Sequence, residues 1–119
     1  MSSKIALAVV GYRHFNDYRR LTRVLDEWIA RHGSPAEIVS GGCIGADRMA
    51  ERFAAERRLT MKVLAPLDID GVSKFARRDR RIAASCTHMV AFPSHRGKGT
   101  QLTIGFARVL GKEVEVHWV

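Results

Sequence analysis

Val39-Ser40-Gly41-Gly42-Cys43-Ile44-Gly45-Ala46-Asp47-Arg48 is the stretch that decides the fold, because a short apolar run breaks there into glycines and restarts as a helix. Glycine lets the chain turn tightly with no side chain in the way. Successive backbone N–H groups can then point outward at the start of the following helix, where the helix dipole favours an anion. The stretch therefore predicts a strand, a turn that could hold a phosphate, and a helix.

Two further stretches repeat this order of apolar run, glycine and cation. They are Ala8-Val9-Val10-Gly11-Tyr12-Arg13 and Val90-Ala91-Phe92-Pro93-Ser94-His95-Arg96-Gly97-Lys98-Gly99-Thr100. Three such junctions in a chain of 119 residues predict three loops at one edge of a parallel sheet. Open α/β sheets bind their ligands at this edge.

Strands and helices alternate along the whole chain. A continuous apolar run predicts a buried central strand at residues 5–10. Further strands are predicted at residues 37–40, 61–65 and 88–92, and an alternating pattern predicts an edge strand from residue 113. Apolar residues at helical spacing predict helices over residues 18–32, from the glycine turn to about residue 58, over 72–85 and over 100–110. The first helix has Asn16 or Asp17 as its cap and Trp28 in the core.

This alternation predicts a single α/β domain over residues 1–119. Short, right-handed connections favour a Rossmann-like, doubly wound fold: a five-stranded, mainly parallel sheet in the order 3-2-1-4-5 with helices on both faces. The crevice then lies between strands one and four. The loops after Gly11 and Pro93 would flank that crevice, and the Gly41 turn would adjoin it.

The third and fourth helices carry more specific expectations. In the third helix the apolar phase predicts that Val72, Phe75, Ile82 and Ala83 face inward, and Asp79 interrupts this stripe. Asp79 is interpreted either as a carboxylate paired with arginine or as part of a ligand-facing pair with Arg78. In the fourth helix Thr100 is predicted as the cap. The predicted inward residues of that helix are Leu102, Phe106, Val109 and Leu110.

Composition limits the functional classes. Twenty Lys and Arg against twelve Asp and Glu give a net charge of +8, which favours nucleotides, nucleic acid or an acidic membrane surface as partners, although solubility alone explains it equally well. Two cysteines are too few for a disulfide scaffold or a zinc site, and no metal site is predicted. No run approaches a membrane span, and residues 5–10 are too short for a signal peptide, so a cytoplasmic location is expected.

Over nearly its whole length the chain resembles the YspA-related branch of the SLOG superfamily of Rossmann-like domains and, more distantly, the Lonely Guy and DprA proteins. The resemblance rests on Gly11-Tyr12-Arg13 with Asp17-Tyr18, on the turn from Ser40 to Asp47, on Arg78 and on Gly97-Lys98-Gly99-Thr100. Asp79 departs from the pattern, because the branch usually has Asn after this arginine. It implies a nucleotide or nucleotide-derived ligand in contact with Arg13, the Gly41-Gly42 turn, Asp47 and the Gly99-Thr100 turn. The sequence predicts a ligand of the nucleotide type and does not specify which nucleotide or cofactor it is.

The predicted ligand-binding residues come from these motifs and from the cations beside them. They are Gly11, Arg13, Ser40, Gly41, Gly42, Gly45, Asp47, Arg78, Asp79, Arg96, Gly97, Gly99 and Thr100. Arg48 and Lys98 are further candidate phosphate donors, and His14 and His95 lie in the same loops. Asp47 could hold a ribose hydroxyl or orient Arg13, or it could simply complement the dipole of its helix.

Three functions stay open. The first is a sensor-type nucleotide-binding domain. The second is a nucleotide N-glycosidase with Asp47 and Asp79 as weak catalytic candidates, although Thr103 stands where the Lonely Guy hydrolases carry a glutamate. The third is single-stranded nucleic-acid binding, for which the arginine cluster of residues 77–81 lacks an interleaved aromatic. The last strand could also pair with a second copy, so a homodimer is possible.

Overall fold

The computed structural model describes residues 4–119, so residues 1–3 of the predicted domain lie outside the described part. The elements, in chain order, are β1 (Ala6–Gly11), α1 (Tyr18–His32), β2 (Glu37–Ser40), α2 (Ala46–Glu56), β3 (Thr60–Val63), a 3₁₀ helix (Asp68–Ser73), α3 (Lys74–Ser85), β4 (His88–Phe92), α4 (Gly99–Val109) and β5 (Glu113–Val116).

The five strands form one sheet in the order β3-β2-β1-β4-β5, and every neighbouring pair is parallel. The predicted order and fold class are therefore confirmed, with no antiparallel pair among the described residues. β1 lies in the centre, where Leu7 pairs with Ile38 of β2 and Val9 with Val90 of β4. The sheet order changes direction between β1 and β4, which places a crevice at their carboxyl ends.

The two faces of the sheet bury two separate cores. Leu7 and Val9 of β1 point to the face covered by α1 and α2, whereas Ala8 and Val10 point to the face covered by α3 and α4. This division follows from the strand period of two. Trp28 of α1 is 2% exposed in the first core, as the sequence predicts.

Asp17 caps α1. Its carboxylate accepts a hydrogen bond of 3.0 Å from the Arg20 backbone N–H, which decides between the two capping candidates, Asn16 and Asp17. At the other end the Gly33 backbone N–H donates to the Ile29 carbonyl oxygen, and Gly33 has φ +96°. The helix therefore begins and ends where the sequence predicts.

Replacement of Asp17 by Ala should lower the free energy of unfolding by about 1 kcal/mol, because the Arg20 N–H loses its acceptor. Urea denaturation monitored by circular dichroism measures this change. Asn16→Ala is the matched control at an exposed neighbouring position and should leave stability within about 0.5 kcal/mol. Equal losses in the two variants would contradict the assignment of the cap.

The predicted inward face at the start of the third helix is wrong. Residues Asp68–Ser73 form a 3₁₀ helix in which Gly71 has φ +59° and ψ −134°, so the helical phase is broken before α3 begins. Val72 is fully exposed, and Phe75 is 54% exposed. The residues that α3 buries are Arg78, Ile82 and Ala83. The break at Gly71 accounts for Val72, which lies before α3, whereas Phe75 lies in the first turn of α3 on the same face as the buried Ile82. The predicted inward positions Ile82 and Ala83 are confirmed.

The predicted inward face of the fourth helix is wrong in most of its positions. Leu102, Val109 and Leu110 are 46%, 86% and 53% exposed, and only Phe106 packs partly against the core. The residues that α4 buries are Thr103, Ile104 and Ala107. The sheet surface on this side combines small side chains, such as Ala8 and Ala91, with larger ones such as Met89, and α4 packs against it through Ile104 and Ala107. The predicted cap at Thr100 is also wrong, because Lys98 is the N-cap and no side chain caps the helix.

Candidate functional site

A cleft of about 360 Å³ opens at the carboxyl ends of β1 and β4. Its size lies within the roughly 300–1,000 Å³ typical of small-molecule sites. The loops after β1 and β4 form two of its walls, and the middle of α3 forms a third. Four cations line it, and two carboxylates face them. The cations are Arg13, Arg78, Arg96 and Lys98, and the carboxylates are Asp47 and Asp79.

The loop between β4 and α4 carries two of these cations. Its backbone is held from within, because the Arg96 N–H donates to the Ser94 hydroxyl at 3.1 Å and the Gln101 side-chain amide donates to the carbonyls of Ser94 and Gly97. Arg96 and Lys98 are exposed, and α4 starts at Gly99 without a side-chain cap. The uncapped N–H groups and both cations therefore share one end of the cleft, where an anion is favoured.

The segment after β1 adds an aromatic wall. The Tyr12 backbone N–H donates to the Phe92 carbonyl at 2.9 Å, which holds this segment beside β4. The Tyr12 ring packs against Gly97, where an added Cβ would lie 3.0 Å from the ring, and meets the His14 ring edge to face at 5.3 Å. Tyr12 was not singled out as a site residue from the sequence, although its place directly after the strand glycine is a usable signal.

Arg78 ties the Gly41 turn to α3. Its guanidinium donates to the Gly41 carbonyl at 2.7 Å and to the Asp79 carboxylate at 2.7 Å, and it reaches Cys43 Sγ at 3.5 Å. The side chain is only 7% exposed. Burial by itself lowers the pKa of Arg78, but the bonds to Cys43 and Asp79 outweigh burial and the net pKa is raised. Arg78 is therefore a fixed cation, and Asp79 combines the two roles that the sequence left open: it pairs with arginine and it lines the cleft.

The glycines of this turn are required by close packing. A Cβ on Gly41 would lie 2.6 Å from Arg78 Nη1, and one on Gly45, which has φ +82°, would lie 2.5 Å from the Arg13 carbonyl oxygen. The N–H groups of the turn bond within it: Gly42 donates to the Ser40 hydroxyl at 3.4 Å and Cys43 to Asp47 Oδ2 at 3.1 Å. The turn thus holds Arg78 and Asp47, two residues that line the cleft, in position through hydrogen bonds.

Asp47 is a buried carboxylate, 7% exposed, at the first turn of α2. Burial raises the pKa of its carboxyl from 3.8 to about 6, and hydrogen bonds from the Cys43 and Gly41 backbone together with the Arg78 charge oppose this rise. Asp47 also lines the cleft. A group with a pKa close to neutral pH therefore lies on the surface that a ligand would touch.

The folded state binds more protons than the unfolded state around pH 4 to 6. The free energy of unfolding should therefore fall by about 2 kcal/mol between pH 4.5 and pH 7.5, out of about 3 kcal/mol over the whole titration. Asp47→Asn should remove this part of the pH dependence and be at least as stable as the wild type at pH 7.5. Urea denaturation at pH 4.5 and 7.5 measures both quantities. Asp68→Asn, at a fully exposed side chain, should keep the wild-type difference. If Asp47→Asn keeps the wild-type difference in the free energy of unfolding between pH 4.5 and pH 7.5, the group with the raised pKa is not Asp47.

The structure gathers most of the sequence-predicted residues in this one cleft. Nine of the thirteen line it: Gly11, Arg13, Asp47, Arg78, Asp79, Arg96, Gly97, Gly99 and Thr100. Four lie outside its lining: Ser40, Gly41, Gly42 and Gly45. Arg48 is exposed outside the lining, and His95 stacks on Trp118 at 4.3 Å between ring centroids. Ligand contact by any of these residues stays a prediction.

Thr103 also lines the cleft, and its hydroxyl donates to the Gly99 carbonyl at 3.2 Å. Within residues 4–119 no group of three or more His, Cys, Asp or Glu side chains is placed to hold a metal ion. The two aspartates before α3 form ion pairs instead: Asp70 accepts from Arg81 at 3.0 Å, and Asp68 lies 3.7 Å from Lys74 Nζ. None of the helices in the described part of the chain is long and apolar enough to cross a membrane.

The family model described as "YspA, cpYpsA-related SLOG family" matches residues 5–70, more than half of the chain. The protein belongs to this family. The match covers β1 to β3 with both glycine turns and ends before α3. No curated protein shows significant sequence similarity to the chain.

Solved structures share the fold. DNA processing protein A (DprA) from Helicobacter pylori, whose single-stranded DNA binding mode has been described structurally, superimposes with a TM-score of 0.73 at 18% identity over 96% of this chain. DprA from Streptococcus pneumoniae gives 0.74 at 20% identity over 94%, and TM1055 gives 0.69 at 20% identity over 92%. This chain spans 65% and 50% of the two DprA chains and 72% of TM1055.

Proposed function

We propose that this protein binds a nucleotide or a nucleotide derivative in the cleft at the carboxyl ends of β1 and β4. The observation that carries this proposal is the placement of opposite charges in one cleft: Arg96, Lys98 and the uncapped start of α4 at one end, and Asp47 and Asp79 against them. A nucleotide has matching chemistry, with an anionic phosphate at one end and hydroxyl and amino donors at the other. Membership of the SLOG family supports this ligand class.

The phosphate would lie at the start of α4. Arg96 and Lys98 are free to move toward it because neither side chain forms a hydrogen bond or ion pair in the described residues. Arg78 is already bonded to Gly41 and Asp79, so it contributes a fixed field rather than a new contact. Asp47 and Asp79 can accept hydrogen bonds from ribose hydroxyls or base amino groups, and Tyr12 supplies an apolar surface.

Cleavage of the N-glycosidic bond is a second candidate, favoured by one observation. Asp47 has a pKa of about 6 and lines the cleft, so it exists in both protonation states near neutral pH and can exchange a proton with a bound ligand. Thr103 replaces the glutamate of the Lonely Guy hydrolases and its hydroxyl is bonded to Gly99, so any such reaction would depend on Asp47 and Asp79.

Native mass spectrometry of the purified protein with a pool of mononucleotides, cyclic nucleotides, NAD and ADP-ribose should show a discrete adduct of one of these masses. Free base that is released by the wild type and not by Asp47→Asn would establish the glycosidase instead. If the protein forms no adduct with the pool and binds only oligonucleotides, the proposal of a small nucleotide ligand fails in favour of single-stranded nucleic acid, the ligand of the H. pylori DprA.

Arg96→Ala and Lys98→Ala should each weaken binding of the identified nucleotide about tenfold or more, since each removes a charge-assisted contact to phosphate. Isothermal titration calorimetry measures the dissociation constants. Arg23→Ala removes an equal charge from an exposed position on α1, outside the cleft, and should change affinity less than twofold. If Arg23→Ala weakens binding as much as the cleft variants do, net charge and not the cleft determines affinity.

A further inference from the structure

An exposed aromatic ring lies beside the cleft. Phe75 is the second residue of α3 and is 54% exposed. The other four phenylalanines are buried or partly buried. Trp118 is 45% exposed, but its ring is stacked on His95. Phe75 is therefore the most exposed of the phenylalanines.

Cations surround this ring and link it to the cleft. Lys74 Nζ lies 5.3 Å from the ring centroid and the guanidinium carbon of Arg78 lies 5.9 Å from it, both within cation–π range. Arg78 also lines the cleft. The Arg78 side chain is therefore shared between the Phe75 ring and the cleft.

An exposed ring beside a lysine has the chemistry that binds a nucleotide, because the ring can stack a base and Lys74 can hold its phosphate. We propose that Phe75 stacks a second nucleobase, belonging to a ligand whose first nucleotide occupies the cleft. This inference rests on the proposed function, since the cleft must hold the first nucleotide. The ligand is then either a free dinucleotide or a single strand, which share the second base and its phosphate.

The test compares three probes on the wild type, Phe75→Ala and Phe75→Tyr: dAMP, the dinucleotide pdApdA, and 5′-phosphorylated (dA)₆. Calorimetry gives each affinity, and light scattering gives the oligomeric state. Phe75→Ala should weaken pdApdA and (dA)₆ binding roughly five- to hundredfold and leave dAMP binding unchanged, because one base loses its stacking surface. Phe75→Tyr keeps an aromatic face and should bind like the wild type.

Val72→Ala is the control, since it removes a fully exposed apolar side chain without an aromatic face and should leave all three affinities unchanged. Equal affinity of the wild type for pdApdA and (dA)₆ would identify a dinucleotide ligand. Tighter binding of (dA)₆ with a steep salt dependence would identify a strand. Both results support the second-base site.

Other outcomes overturn it. If dAMP binds but pdApdA binds no more tightly and Phe75→Ala has no effect, the second-base site fails while the proposed function stands. If the wild type binds neither the three probes nor any nucleotide of the mass spectrometry pool, both fail. A dimer that dissociates on Phe75→Ala would assign the ring to an interface between copies of this chain.

Discussion

The buried guanidinium of Arg78 is the interaction on which the rest of this site depends. A guanidinium removed from water costs several kcal/mol unless its donors are paired. Arg78 meets this requirement through the Gly41 carbonyl and the Asp79 carboxylate, both at 2.7 Å. Gly41 follows β2 and precedes α2, which packs on one face of the sheet, whereas Arg78 belongs to α3, which packs on the other. The side chain thus joins the two layers at the edge where the cleft opens.

This pairing also sets the electrostatics of the cleft. Because Arg78 is held by Gly41 and Asp79, the cations that remain available to a ligand are those on the loops, Arg13, Arg96 and Lys98. Asp47 accepts a hydrogen bond from the Cys43 N–H of the same turn, and burial raises the pKa of Asp47 despite the nearby Arg78 guanidinium. Because the pKa of Asp47 is raised to about 6, deprotonation of this carboxyl above that pH lowers the free energy of unfolding. A ligand that donates a hydrogen bond to Asp47 would recover part of that cost.

Sequence patterns were sufficient for the architecture. Residues 5–10 and 89–92 are continuously apolar because both faces of a central parallel strand are covered, and they lie almost entirely in β1 and β4. The order of the strands followed from short, right-handed connections. The predicted inward positions Ile82 and Ala83 of α3 are confirmed, whereas Val72 lies before the helix, beyond a break at Gly71. Most of the predicted face of α4 was wrong, because this helix meets the sheet through Ile104 and Ala107.

The sequence by itself determined the element types, their order, the parallel sheet and the loops that meet at its edge, since these depend on periodicity and on glycine at the turns. Only the tertiary structure decided that Arg78 bonds to Gly41, 37 positions away, that Tyr12 lines the cleft, that Asp47 titrates near pH 6 and that Phe75 is exposed. The physical reason is that burial and hydrogen-bond partners belong to groups far apart along the chain, whereas periodicity reports only on which side of its own element a residue lies.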